Sequence, residues 1–257
     1  MLTFVGLGLY DERSVTVEGR EAIRRADRVF AECYTSRLVG ATREELEAFH
    51  DTTVEVRDRA GVEEDPGPIL DAAEAGDAVF CTAGDTMIST THVDLRLRAH
   101  ARGIDTRIVH GTTAAAAAAS LTGLQNYRFG KATTLPFPYG SMRVPESVTE
   151  TIDANRERGL HTLVFLDIKA ERETDRFMTA DTAAKLLAEA DEDRLAVAVC
   201  RAGSPDPLVA ADRLSNLAGR EFGDPLHLLV VPGELHHVER EALRELAGAP
   251  GELLPGD

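Results

Sequence analysis

Apolar, β-rich runs alternate with stretches of helical period along most of this 257-residue chain. The apolar runs predict strands near 2–8, 27–32, 77–83, 104–110, 160–168, 195–201 and 226–232, because short apolar segments bounded by turn residues suit buried strands. Helical spacing predicts helices over 16–26, 90–102, 112–121, 145–158, 179–190 and 236–247. Pro145 suits a first helical turn, and Thr179 or Asp181 can cap the helix that follows it. Such alternation argues for parallel sheets covered by helices. The segment Leu135-Pro136-Phe137-Pro138-Tyr139-Gly140 is expected to be a loop, since its prolines fit neither a helix interior nor a central strand. The apolar start at residue 2 leaves no room for a leader, so the first strand is expected to be a central one.

Four strands are expected to end in small or turn-forming residues. These are Gly6-Leu7-Gly8-Leu9-Tyr10-Asp11, Ala83-Gly84-Asp85-Thr86-Met87-Ile88, His110-Gly111-Thr112-Thr113-Ala114 and Arg201-Ala202-Gly203-Ser204-Pro205. Ligands of open α/β sheets bind outside the carboxyl ends of the strands, so the four loops are expected around one pocket. The first loop is close to the dinucleotide fingerprint, but Asp11 stands where its third glycine belongs. No acidic residue is expected at the end of a convincing second strand to hold a ribose, which argues against a nicotinamide site.

Charge narrows the class. Asp and Glu number 44 against 28 Lys and Arg, a net charge of −16, and only Lys131, Lys169 and Lys185 are lysines. No basic patch is visible, which argues against nucleic acid as partner. The acidic excess fits a salt-rich cytosol, where screening removes the self-repulsion. No stretch approaches the ~18 uncharged apolar residues of a membrane span, so a cytoplasmic protein with no membrane partner is expected. Cys33, Cys81 and Cys200 lack metal-ligand spacing and are expected as buried reduced thiols.

Several segments together resemble the diphthine synthases of archaea and eukaryotes, methyltransferases of the tetrapyrrole-methylase fold. They are Gly6–Arg13, Ala31-Glu32-Cys33-Tyr34-Thr35-Ser36, Gly84-Asp85 with Thr90-Thr91-His92, Gly123-Leu124 with Phe129-Gly130-Lys131, Arg201–Ser204 and Phe222–Gly233. The most particular is Arg158-Gly159-Leu160-His161-Thr162-Leu163-Val164-Phe165-Leu166-Asp167-Ile168-Lys169-Ala170-Glu171. The resemblance runs from Met1 to about Pro250. It implies two α/β domains, 1–110 and 111–257, with S-adenosylmethionine in the cleft between them, and a homodimer. It also implies the acceptor: the modified histidine of translation elongation factor 2, trimethylated on the amino group of its aminocarboxypropyl arm, with S-adenosylhomocysteine released. Carried over by position, the cofactor contacts are Leu9, Asp85, Ile88, Thr113, Ala114, Leu166, Ala202 and His227. Thr86 stands where the fold usually has proline, and Gly111-Thr112-Thr113-Ala114 departs from the expected proline and bulkier apolar residue. A corrinoid or tetrapyrrole precursor, or ribosomal RNA, is the alternative acceptor.

Methyl transfer from a sulfonium is an in-line displacement that needs neither a metal nor a covalent intermediate. His110, Asp167 and Glu171 are the candidate bases, and none is singled out. Asp85 equally suits a turn or helix cap, and His227, inside an apolar run, equally suits the core. His236-His237 fits a surface pair better than a metal site. The run Ala114–Ala119 is expected to be a tightly packed helix.

Overall fold

The computed structural model describes residues 1–140, 143–169, 176–190 and 193–254. The chain forms two compact units, Met1–Ala114 and Ala115–Asp257. The first unit runs β1 (Leu2–Gly6), α1 (Val17–Arg25), β2 (Arg28–Glu32), α2 (Arg43–His50), β3 (Val54–Arg57), α3 (Arg59–Glu63), α4 (Gly67–Ala75), β4 (Ala78–Thr82), α5 (Val93–Ala101) and β5 (Thr106–Val109). Its five strands are all parallel, in the order β3-β2-β4-β1-β5. β1 therefore has a neighbour on each side.

Alternation along these strands feeds two cores, one on each face of the sheet, as buried parallel sheets require. Phe4, Phe30 and Phe80 pack with Ile69 and Leu70 of α4 and Leu95 and Ala99 of α5. Val5, Val29, Val79 and Cys81 pack with Ile23 of α1 and Leu46 of α2. The stretch holding α2, β3, α3 and α4 carried no predicted element. α2 is mostly polar and is started by a capping box between Thr42 and Glu45, while β3 is an edge strand of four residues.

The second unit continues from α6 (Ala114–Thr122), which starts at the unit boundary, to β6 (Thr133–Leu135), α7 (Glu146–Arg156), β7 (Thr162–Leu166), β8 (Ile168–Lys169) and β9 (Arg176–Phe177). It then runs through α8 (Ala180–Ala190), β10 (Leu195–Cys200), β11 (Leu208–Arg213), α9 (Leu214–Leu217), β12 (His227–Val231) and α10 (His237–Ala247). Its main sheet has the order β11-β10-β12-β7-β6. Only β6 and β7 pair in parallel; the other three pairs are antiparallel. The expectation of parallel sheets throughout is thus corrected for this unit. The reason is that β12 returns between β7 and β10 and runs against both, a choice that local periodicity does not encode. Leu135 closes β6 at the sheet edge, and the chain leaves the sheet at Pro136. Val164, Leu166, Ala198 and Leu229 form one core with Val148 and Ile152 of α7 and Leu187 of α8.

Cys81 and Cys200 are buried free thiols, but Cys33 is only half-buried. Burial pushes the Cys200 thiol up to about 12. No described helix is long and apolar enough to cross a membrane.

Candidate active site

In the first unit, β4, β1 and β5 lie side by side, so the loops that follow them share one sheet edge. The glycines there let backbone pack on backbone. A Cβ on Gly6 would sit 2.5 Å from the Gly111 nitrogen and 2.6 Å from the Gly84 oxygen. Gly8 and Gly84 exchange backbone hydrogen bonds of 3.2 and 2.7 Å. Both have positive φ, at 75° and 76°, a region that glycine enters without strain. Leu9, Asp85, Ile88, Thr113 and Ala114 are therefore all carried by this one edge. Ile88 is 48% exposed, and Leu9, Thr113 and Ala114 are half-buried. Asp11, in place of a third fingerprint glycine, caps the next turn. Its Oδ1 accepts from the Arg13 N–H at 3.0 Å, and Arg13 Nη2 pairs with its Oδ2 at 2.5 Å.

Asp85 is the organiser of the edge. Its buried carboxylate accepts from the Met87 N–H at 3.0 Å through Oδ1 and from the Gly111 N–H at 3.3 Å through Oδ2. His110 Nδ1 stands 2.7 Å from the same Oδ2, while the His110 side chain is 75% exposed. A carboxylate facing Nδ1 selects the Nδ1–H tautomer and leaves Nε2 as the basic nitrogen. Asp85 thus has the turn role that its sequence context allowed.

In the second unit, β12 runs against β7 and β10, so its first residue falls at the same sheet edge as their last. The registers Cys200 to His227 and Phe165 to Leu228 place Leu166, Ala202 and His227 on that edge. Leu166 is buried and Ala202 half-buried. Arg201, with φ 53°, turns the chain out of β10, and its guanidinium donates to the Phe222 carbonyl at 2.6 Å. The ring of His227 is used inside the unit. Nδ1 accepts from the Ala180 N–H, the start of α8, at 3.1 Å, and Nε2 donates to the Asp224 carbonyl at 2.9 Å. Burial holds this imidazole below its ordinary range. Among the candidate bases, the Asp167 carboxylate accepts from the Phe137 N–H at 2.9 Å and braces that loop. Glu171 lies outside the described residues.

Two features were missed from sequence. Glu32 does end β2, against the expectation of no acid there, yet it is buried and accepts from the Tyr34 and Thr35 N–H groups at 2.8 and 2.9 Å. A ribose has no claim on those lone pairs. Glu239, the other, accepts from His161 Nε2 at 3.0 Å and from the Gln125 and His236 N–H groups, each at 2.8 Å. The three-residue spacing from His236 to Glu239 at the start of α10, that of a capping box, is the signal that could have found it. His236 and His237 themselves are exposed and ring-to-ring at 4.1 Å.

Comparison with known proteins fits this geometry. The family model for tetrapyrrole (corrin/porphyrin) methylases matches residues 1–218. The diphthine synthase of Natronomonas pharaonis is 71% identical, and that of Halobacterium salinarum 70%, each aligned over 99% of this chain and at least 99% of its own. The diphthine synthase of Methanosarcina acetivorans is 47% identical over 99% of this chain and 98% of its own. A crystal structure of diphthine synthase superimposes with a TM-score of 0.91, 41% identity and 98% of both chains covered. Near-complete coverage at such identity, on a shared fold, means that the chain belongs to the diphthine synthases, methyltransferases of the tetrapyrrole-methylase family.

Proposed function

We propose that the chain transfers three methyl groups in succession from S-adenosylmethionine to the aminocarboxypropyl amine on the modified histidine of elongation factor 2. The observation that carries this reading is the full-length match to proteins named diphthine synthase, at 64–71% identity among relatives from halophilic archaea. A tetrapyrrole precursor or ribosomal RNA as acceptor is disfavoured by the same names, and RNA also by the charge of −16. The likeness also supports a homodimer acting in the cytoplasm.

The residues present fit the cofactor. Gly84 has no atom within 4 Å of the place where a Cβ would stand, so that side of the loop is open to a ligand. In our reading Leu9, Ile88 and Leu166 offer apolar contact, and the small residues at Gly84, Ala114 and Ala202 admit close approach. Asp85, Thr113 and His227 supply polar groups or backbone. When bound, S-adenosylmethionine supplies the electrophilic methyl group. The protein's task is to hold amine, carbon and sulfur in line, and orientation of this kind is worth about 7–11 kcal/mol. The amine must shed a proton before it attacks. In our reading His110 is the candidate to take it, supported by the Asp85 carboxylate on its Nδ1 and by an exposed side chain.

Elongation factor 2 from a strain lacking this enzyme, incubated with the protein and S-adenosylmethionine, tests the reading by peptide mass spectrometry. A ladder ending at three methyl groups on one modified histidine is expected. A single methyl, transfer to unmodified histidine, or label in RNA would overturn it.

A further inference from the structure

His92 stands just before α5 with its ring buried and edge-on to Phe80, 5.0 Å between centroids. Its Nδ1 lies 3.1 Å from the Thr86 carbonyl oxygen. A carbonyl only accepts, so Nδ1 carries the hydrogen. Nε2 faces Glu32 Oε1 at 3.9 Å, beyond the ~2.7–3.2 Å of a direct bond. The Glu32 carboxylate already receives the Tyr34 and Thr35 N–H groups and the Thr35 hydroxyl. It is thus stabilised without an imidazolium. Burial of the ring favours its neutral form, against Glu32 and Glu63 and together with Arg59.

Two acceptors then face each other, Nε2 with its lone pair and Oε1 with its charge. A molecule that donates one hydrogen to each resolves the conflict. With legs of about 2.8 Å, a water spans 3.9 Å at an angle of about 90°. Tyr34 stands edge-on to the ring with 6.4 Å between centroids, and Thr86 and Thr90 belong to the stretch of chain that leads into it. The Tyr34, Thr86 and Thr90 hydroxyls have no hydrogen-bond partner among the described residues, and neither has His92 Nε2. An internal water needs two to four polar partners, and Nε2 and Oε1 supply two.

We propose that His92 is a positioning residue: with Nδ1–H on the Thr86 carbonyl and a water shared between Nε2 and Glu32, it ties the Gly84–Ile88 loop to the turn after β2. That loop carries Asp85 and Ile88, so the effect on cofactor binding rests on the function proposed above. The bond to Thr86 sets where the loop stands, and the water-linked arm sets how the ring stands.

Nitrogen-15 NMR of wild-type protein reads the tautomer directly: a neutral Nδ1–H ring at pH 7 is expected. An Nε2–H tautomer or an imidazolium would overturn the assignment. Calorimetry with S-adenosylmethionine then separates the arms. His92→Asn keeps a donor near the Nδ1 position and should bind within about threefold of wild type. His92→Gln loses that donor and should bind about tenfold more weakly. Equal affinities for the two variants would defeat the positioning role. Should wild-type protein fail to bind S-adenosylmethionine at all, the cofactor reading falls, and the tautomer still decides the fate of this inference.

Discussion

Two buried glutamate–histidine pairs, one in each unit, are built from the same groups and finished differently. In the second unit, His161 uses both nitrogens: Nε2–H on Glu239 at 3.0 Å, and Nδ1 accepting from the Gly233 N–H at 3.0 Å. Glu239 adds the Gln125 and His236 N–H groups, with Arg128 3.6 Å away. Four chain segments are fastened by one closed network. In the first unit, His92 and Glu32 stop 3.9 Å apart. A closed network of this kind serves the fold, whereas an open one leaves a place for another molecule. The segment most particular to the family thus carries, at His161, a fastening of the fold.

The largest expected effect separates both pairs from the surface. Exposed carboxylates repel over ~10 Å at 0.1 M salt but only ~3 Å at 1 M, and folding stability is only ~5–15 kcal/mol in all. Melting temperature should therefore climb as potassium chloride rises from about 0.1 to 2 M. The destabilisation caused by breaking either buried pair should persist across that series, because buried charges are screened little. A flat or falling melting curve would show the charge of −16 to be incidental.

Breaking the closed pair comes next. Glu239→Ala takes the acceptor from the buried His161 ring and from the half-buried Gln125 and His236 N–H groups, and should cost about 3–5 kcal/mol in denaturant unfolding. A loss below about 1 kcal/mol would mean that the network relaxes and is not the fastening its geometry implies.

A third buried histidine sharpens the comparison through pH. His50 has neither nitrogen bonded among the described residues, and burial beside Arg20 and Arg24 brings it from 6.5 down to about 4. The fold therefore prefers the neutral ring. Its stabilising share is complete above pH 6.5 and is lost as pH falls toward 4, by about 3 kcal/mol in total. His50→Leu should flatten this part of the stability profile measured between those limits. An unchanged slope would assign it to other groups, His92, His161 and His227 being the nearest in kind.

The smallest effect concerns the loops. Asp85→Ala removes an acceptor from the Met87 and Gly111 N–H groups and the partner of His110. If Asp85 also holds the cofactor as proposed above, losing that charge-assisted bond costs about 1.5–3 kcal/mol, and S-adenosylmethionine should bind tenfold or more weakly. His227→Ala should cost less affinity, since its ring bonds only the start of α8 and the Asp224 carbonyl. Titration calorimetry on folded variants measures both. An unaltered dissociation constant for Asp85→Ala would leave that residue its turn role alone.

The amino-acid sequence by itself determined the alternation of strand and helix, the turn loops after β1, β4, β5 and β10, and the family. These rest on local chemistry: apolar period, glycine at positive φ, and side chains with few other uses. It did not reveal β3 or β11, edge strands whose partners supply what their own pattern lacks. Nor did it show that β12 runs antiparallel between β7 and β10, because pairing direction depends on how distant segments meet. The same holds for the histidines. His92, His161 and His227 are each a lone ring in an apolar or turn-rich segment until tertiary structure supplies the atoms that face their nitrogens. Only those partners, brought from as far as 78 positions away for His161, decide which ring is closed and which is left one bond short.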